Sequence, residues 1–251
     1  MESRSLTPKS FLRVVHWASL VIDRLSSFRR TENSATTEVE VAAVVQFVAE
    51  LAKISNPRVV ELGTRRQEGQ ERTRRRAWVP HAEQHLGVDY QLGEDVDLVA
   101  DIHELSKYLP RDHFDAVISC STLEHVKCPW VAAVEIAKVL KIGGFVFVHT
   151  HQTFSLHPHP HDYWRFSTEG LETLFSPTIG FDILSCHYQH RCRILTHQDP
   201  NQFFTPSYLN VCLLAKCSVS QMMSRLCRFS EAGKLCLCLG HLTSLNFGEP
   251  R

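Results

Sequence analysis

The sequence predicts an α/β fold in which a doubly wound, mostly parallel sheet of seven strands follows an N-terminal helical extension. Three observations carry this. Short apolar runs alternate with segments of helical spacing from residue 37 to about residue 216, the pattern of strand–helix–strand crossovers. The run Val59-Val60-Glu61-Leu62 stops at Gly63, as a buried strand does when it ends in a tight turn. A second run, His85-Leu86-Gly87-Val88, closes on the carboxylate of Asp89.

Taken in order, the chain opens with Phe11 to Phe28, where Phe11, Val14, Val15, Ala18, Val21, Ile22 and Leu25 share one helical face. This amphipathic helix reads as a domain cap or substrate cover, with an interfacial membrane helix as the alternative. Thr31 to Thr37 is a polar connector, and a second helix from Thr37 to Ile54 delivers the chain to the Val59 strand. Between Thr64 and Pro80 six arginines, Arg65, Arg66, Arg72, Arg74, Arg75 and Arg76, crowd an insertion. It is either a solvated loop or a clamp for an anionic group, since guanidinium forks grip phosphate and carboxylate bidentately. Val96 to Ala100 is the third strand, ending at Asp101, and Phe114 to Cys120 the fourth. Pro129 suits the first turn of a helix reaching Leu140, where a missing N–H costs nothing. Gly143-Gly144 is expected to end that helix, with Phe145 to Val148 as the fifth strand. Phe181–Leu184 and Leu209–Ala215 form an edge hairpin. The expected division is 1–36 for the helical extension, 37–217 for the sheet domain and 218–251 for a peripheral tail.

Composition narrows the function classes. With 27 Lys plus Arg against 27 Asp plus Glu, no global basic field draws in nucleic acid or an anionic membrane. Nine cysteines without a CxxC pair argue for reduced thiols and a cytoplasmic chain. Apolar stretches fall far short of the roughly 20 residues that span a bilayer, so no transmembrane segment is expected.

The strand ends place a ligand. In doubly wound sheets ligands sit outside the carboxyl ends of the strands at the topological switch, where glycine lets a backbone approach without a Cβ in the way. A carboxylate ending the second strand suits a ribose diol, because its oxygens accept both hydroxyl protons. The motifs Val-Val-Glu-Leu-Gly at 59–63, Gly-Val-Asp at 87–89, Ala-Asp at 100–101, Phe-Asp-Ala-Val-Ile-Ser-Cys-Ser-Thr-Leu-Glu-His at 114–125 and Leu-Lys-Ile-Gly-Gly at 140–144 resemble, in order and spacing, the seven-stranded Rossmann-like S-adenosylmethionine-dependent methyltransferases of the methyltransferase type-11 group. His161-Asp162-Tyr163-Trp164-Arg165-Phe166-Ser167 resembles the segment beside that group's substrate pocket. The resemblance implies S-adenosyl-L-methionine as cofactor and a small-molecule or glycan-type acceptor. It implies Glu61 and Gly63 along the methionine portion, Asp89 at the ribose, Asp101 and Ile102 flanking adenine, and Ser119 to Ser121 as the floor. The family's first loop usually carries two or three glycines, whereas here Gly63 is followed by Thr64 and Arg65. For Asp89 and Asp101 the alternative is capping of the helices that follow.

Methyl transfer rests mainly on in-line positioning, and a base is needed only for a hydroxyl or protonated amine acceptor. His125, His161 and Tyr163 are the candidate catalytic residues, within a cluster that includes His149, His151, His157 and His159. Each imidazole is otherwise a hydrogen-bonding wall residue. His157, His159 and His161 alternate along the chain, which in an extended segment puts them on one side as metal ligands would be. No carboxylate or thiolate beyond Asp162 completes that set, so no metal is assigned. Trp164 and Phe166 are expected to pack, and His161, Tyr163 and Arg165 to face the pocket, with Arg165 pairing a carboxylate as the alternative. Two other classes remain: a catalytically silent binding module on the same fold, and a nicotinamide-dependent oxidoreductase, which should carry a fuller GxGxxG.

Overall fold

The computed structural model describes residues 35–67, 74–157, 160–195 and 204–218. The helix expected at Phe11–Phe28, residue His159 and the tail beyond Ser218 lie outside the described residues. The chain divides into Met1–Ala42 and Ala43–Arg251. Of the first unit only Ala35–Ala42 is described, the opening of helix α1 (Ala35–Leu51).

The second unit is built on seven strands: β1 (Arg58–Leu62), β2 (Gln84–Asp89), β3 (Leu98–Val99), β4 (Phe114–Cys120), β5 (Leu140–His151), β6 (Phe181–Leu195) and β7 (Phe204–Cys217). They lie in the order β3-β2-β1-β4-β5-β7-β6. β1 to β5 are parallel, and β7 runs antiparallel to both of its neighbours. This is the mostly parallel seven-stranded architecture expected from the sequence. The chain steps outward from β1 to β3 and returns to β4 on β1's other side, so the switch point lies where Gly63 ends β1.

Both faces of the central strands are buried, which is why they read as unbroken apolar runs rather than alternating ones. Val59, Ala116, Ile118, Phe145, Phe147 and Leu214 face one layer with Phe47 and Leu51 of α1. Their neighbours Val60, Val117, Val146 and Val148 face the other, against Ala132, Ala133 and Ile136 of α3 (Pro129–Val139). The short helices α2 (Leu105–Tyr108) and α4 (Thr168–Leu174) add Leu105 and Leu171 to that second layer.

Four details differ from the sequence expectation. The insertion after β1 is not wholly solvated: Trp78 meets Phe47 and Phe147 edge-on, at 6.4 and 5.4 Å, and Val79 is buried. Partial burial of the indole on the α1 layer outweighs the surrounding charge. Gly143-Gly144 lies inside β5 instead of ending α3, because the backbone turns extended already at Leu140. Gly143 supplies a φ of +85° beside the register shift between Phe114 and Ala116. β3 is only two residues long, and the edge hairpin is far longer than its two apolar cores suggest. The described cysteines Cys120, Cys128, Cys186, Cys192, Cys212 and Cys217 are all free. Among the described residues no helix is long and apolar enough to cross a membrane.

Candidate active site

A cleft of about 660 Å³ opens at the carboxyl ends of β1, β2 and β4. On its first wall Gly63 adopts φ +74° and donates its N–H to Val88 C=O at 2.8 Å. The Thr122 hydroxyl shares its one proton between Leu62 C=O and Cys120 C=O, each 3.1 Å away, and so ties the ends of β1 and β4 together. Asp89, at the end of β2, accepts N–H bonds from Arg65 and Gln91, both 3.1 Å. Each carboxylate oxygen has a second acceptor site left by geometry. Asp101 accepts the His103 N–H at 2.8 Å and faces His103 Nδ1 at 2.6 Å. Partial burial alone would raise the Asp101 carboxyl, but the His103 contacts outweigh it and hold it below the usual range. The capping role foreseen as the alternative for Asp101 is therefore present, on a residue that also lines the cleft with Ile102 and Ser121.

Two expected site residues do not line it. Glu61 is 1% exposed and accepts from the Arg75 N–H at 2.9 Å and the Arg75 guanidinium at 3.0 Å. Burial raises its carboxyl above the ordinary value despite that cation. It is Arg75, with Arg65, that reaches the cleft surface. Ser119 is fully buried within β4. The other described arginines of the insertion are spent elsewhere: Arg66 on Glu94 and Asp95, Arg74 on Asp97 and the His85 carbonyl, while Arg76 is exposed.

The opposite wall comes from the turn after β4 and the segment after β5. Tyr163 N–H and Trp164 N–H both donate to the Glu124 carbonyl, at 2.8 and 3.1 Å, and Trp164 Nε1 donates to Val126 C=O at 2.9 Å. Phe166 N–H donates to His151 C=O. These bonds fold residues 160–166 back over the cleft, where His125, His151, Phe154, His157, His161 and Tyr163 line it. Arg165 does not face the cleft. Its guanidinium grips both oxygens of Asp162, at 2.5 and 2.8 Å, and reaches the Ser155 carbonyl at 3.1 Å. The fork holds the Asp162 carboxyl well below its ordinary range and braces the loop.

Beneath that wall sits Glu124, fully buried. Its Oε2 accepts from the Thr150 hydroxyl at 2.7 Å, and its Oε1 lies 3.0 Å from His151 Nε2. Burial would raise the Glu124 carboxyl, yet His151 and Thr150 outweigh it and hold it low. Burial likewise opposes charging of His151, but Glu124 carries its pKa above the ordinary value. The alternation of His157 and His161 does not throw them together. His157 is turned inward by its N–H bond to Asp162, 3.1 Å, whereas His161 sits exposed beside Tyr163, ring centroids 5.3 Å apart. The sequence named His151, and Arg75 among the arginines of the insertion, but passed over Glu124 and Asn210. Glu124 stood inside a motif without a role, and Asn210 reaches His151 only through strand pairing.

Residues 71–148 match the family model described as methyltransferase domain. Among solved structures, the chain is similar to the putative methyltransferase complexed with the Trm112 methyltransferase activator of Haloferax volcanii (16% identity, 72% of this chain and 90% of that one, TM-score 0.49). It is also similar to 1,6-didemethyltoxoflavin-N1-methyltransferase of Burkholderia thailandensis, solved with 1,6-didemethyltoxoflavin and S-adenosylhomocysteine (15% identity, 87% and 94%, TM-score 0.47). A third is a SAM dependent methyltransferase of Archaeoglobus fulgidus (15% identity, 73% and 100%, TM-score 0.46). No curated protein gives a significant match.

Proposed function

We propose that this chain, which carries a methyltransferase domain over residues 71–148, transfers the methyl group of S-adenosyl-L-methionine to a small-molecule or glycan-type acceptor held against the His125–Tyr163 wall. The observation that carries the reading is one cleft at the switch point of the sheet, with the Asp89 carboxylate at one side and imidazoles with a phenol at the other. On this reading Asp89 accepts the ribose hydroxyls and Gly63 admits the methionine portion. Asp101 and Ile102 flank the adenine, and Ser121 forms the exposed part of the floor. Glu61 and Ser119 act from behind the surface, Glu61 by setting the Arg75 guanidinium.

Arg65 and Arg75 are the cleft-lining cations of the arginine segment. They suit the carboxylate of the cofactor's methionine portion, or an anionic group on the acceptor. The sulfonium supplies the electrophile, so the protein's contribution is chiefly alignment of the acceptor in line with the transferred methyl. His125 donates from Nδ1 to the His161 carbonyl at 2.5 Å, which leaves Nε2 as the proton acceptor. His125, His161 and Tyr163 thereby share the tasks of orienting a hydroxyl or amine acceptor and taking its proton. The free thiols fit a cytoplasmic location.

The test is calorimetric titration of the full chain with S-adenosylhomocysteine, followed by transfer of labelled methyl to a panel of small hydroxyl, amine and glycan acceptors. Binding with turnover is the expected result. Binding without turnover on any acceptor would favour a silent module, and no binding by a folded chain would overturn the proposal.

A further inference from the structure

We propose that Glu124, His151 and His157 form a binding site for one divalent first-row transition ion, zinc being the ion of best fit, set in the acceptor wall of the cleft. The ligand atoms converge on a single buried oxygen. Glu124 Oε1 is 3.0 Å from His151 Nε2 and 3.9 Å from His157 Nε2, and the ligand atoms all lie within 4.8 Å of one another. Two imidazoles and one carboxylate with an open side are the donor set of catalytic zinc sites.

Each imidazole is held in the tautomer that a metal requires. His151 Nδ1 donates to Asn210 Oδ1 at 2.8 Å, and His157 Nδ1 donates to the Ser155 carbonyl at 3.0 Å. With Nδ1 committed as donor, Nε2 carries the lone pair, and both Nε2 atoms face Glu124. Such outer partners orient metal-ligating histidines and raise their basicity. The His151 ring is further fixed by stacking on Phe154, centroids 4.1 Å apart and planes 9° from parallel. His125 shows the same outer arrangement, with Nδ1 on the His161 carbonyl and Nε2 3.9 Å from the same Oε1.

The plainer account is a buried ion pair between Glu124 and His151, and it leaves two features unexplained. Oε1, fully buried, has no donor in hydrogen-bond alignment among the described residues, despite the 3.0 Å approach of His151. A second and a third imidazole also stand 3.9 Å from that oxygen, too far for a hydrogen bond. At an ion with bonds of about 2.1 Å, ligand atoms 3.0 and 3.9 Å apart subtend roughly 90° and 135°. Closing the remaining side asks for an inward shift of His157 on the order of 1 Å. The open side gives on the cleft, where His151 and His157 are both part of the lining, so the ion would hold a water or an acceptor oxygen.

The test uses the full-length chain, stripped with a chelator and titrated with zinc chloride by calorimetry and with cobalt(II) by visible absorption. The expected result is one zinc per chain and the d–d bands of a low-coordinate cobalt site. Glu124→Gln and His157→Ala should each weaken zinc at least tenfold, and Asn210→Ala roughly tenfold through the outer bond. His113→Ala, away from the cleft, should bind as the parent does. His157 lies in a loop, so its variant keeps the test valid should Glu124→Gln fail to fold. Absence of zinc binding, equal affinity in folded His157→Ala, or a thiolate-to-cobalt charge-transfer band would each overturn the site. S-adenosylhomocysteine titrated without metal reads the proposed function separately, so one proposal can fail without the other.

Discussion

Gly63→Ala is the change for which the structure sets the magnitude most directly. A Cβ at this position would overlap the Thr122 hydroxyl and stand 2.8 Å from the Thr122 Cγ2 methyl. The residue would also have to hold φ +74°, a left-handed conformation that costs a non-glycine residue about 1 kcal/mol or more. The threonine cannot rotate away freely, because its hydroxyl serves the carbonyls of Leu62 and Cys120, both 3.1 Å away. The hydroxyl has one proton to share between them, so losing that bifurcated bond costs about 1 kcal/mol. The total is roughly 2 kcal/mol, read as a fall in the urea midpoint without a change in slope. Thr122→Ala alone should cost about 1 kcal/mol through the same shared bond. In the double variant the overlap is largely relieved while the strained φ stays. The two changes should then sum to about 1 kcal/mol less than strict additivity, a coupling typical of contacting residues. Strict additivity, or a loss below about 1 kcal/mol for Gly63→Ala, would refute the steric argument.

Three further outcomes are expected. Asp89→Ala should weaken S-adenosylhomocysteine binding by about 1.5–3 kcal/mol, the range for hydrogen bonds to a charged group, and calorimetry showing unchanged affinity would remove Asp89 from the ribose. His85 is buried, and burial with the neighbouring Arg74 and Arg76 charges pushes its pKa from 6.5 down to about 4. The folded state keeps this imidazole neutral while the unfolded chain protonates it, so its contribution is intact above pH 6.5 and lost between there and about pH 4. The loss amounts to roughly 3 kcal/mol, and chemical denaturation across that window should show it in the parent but not in His85→Asn. His161→Phe and Tyr163→Phe should lower turnover while changing S-adenosylhomocysteine affinity by no more than about twofold, ~0.4 kcal/mol. Loss of cofactor binding in either folded variant would move the acceptor wall elsewhere.

How far the sequence could be read depends on which chain segments bring a group into place. The wall of the cleft at the ends of β1, β2 and β4 is legible because each of its groups ends a strand: Gly63, Asp89, Asp101 and Ser121 follow their own apolar runs by one residue, and a parallel sheet carries all such ends to the same edge. Periodicity also locates β1, β2 and β4, whose runs are largely buried. It misjudged β5, because Gly143 and Gly144 look like a helix stop, whereas Gly144 sits where the backbone passes 3.0 Å from a would-be Cβ at the Asp115 carbonyl. Trp78 was lost among arginines, since charge density marks a loop but does not say which of its residues turns inward. The opposite wall is a different case. Glu124 belongs to the turn after β4, His151 to the end of β5 and Asn210 to β7, and the last two meet only because the antiparallel register pairs them across 59 residues. That register follows from the length of the edge hairpin and from the alternation of β7 residues between the two core layers, Val211 and Leu213 on one and Cys212 and Leu214 on the other, neither of which bears on imidazole chemistry. Strand-end motifs therefore expose the half of a site that successive parallel strands supply. The half that an antiparallel partner completes becomes visible only once the strands are in register.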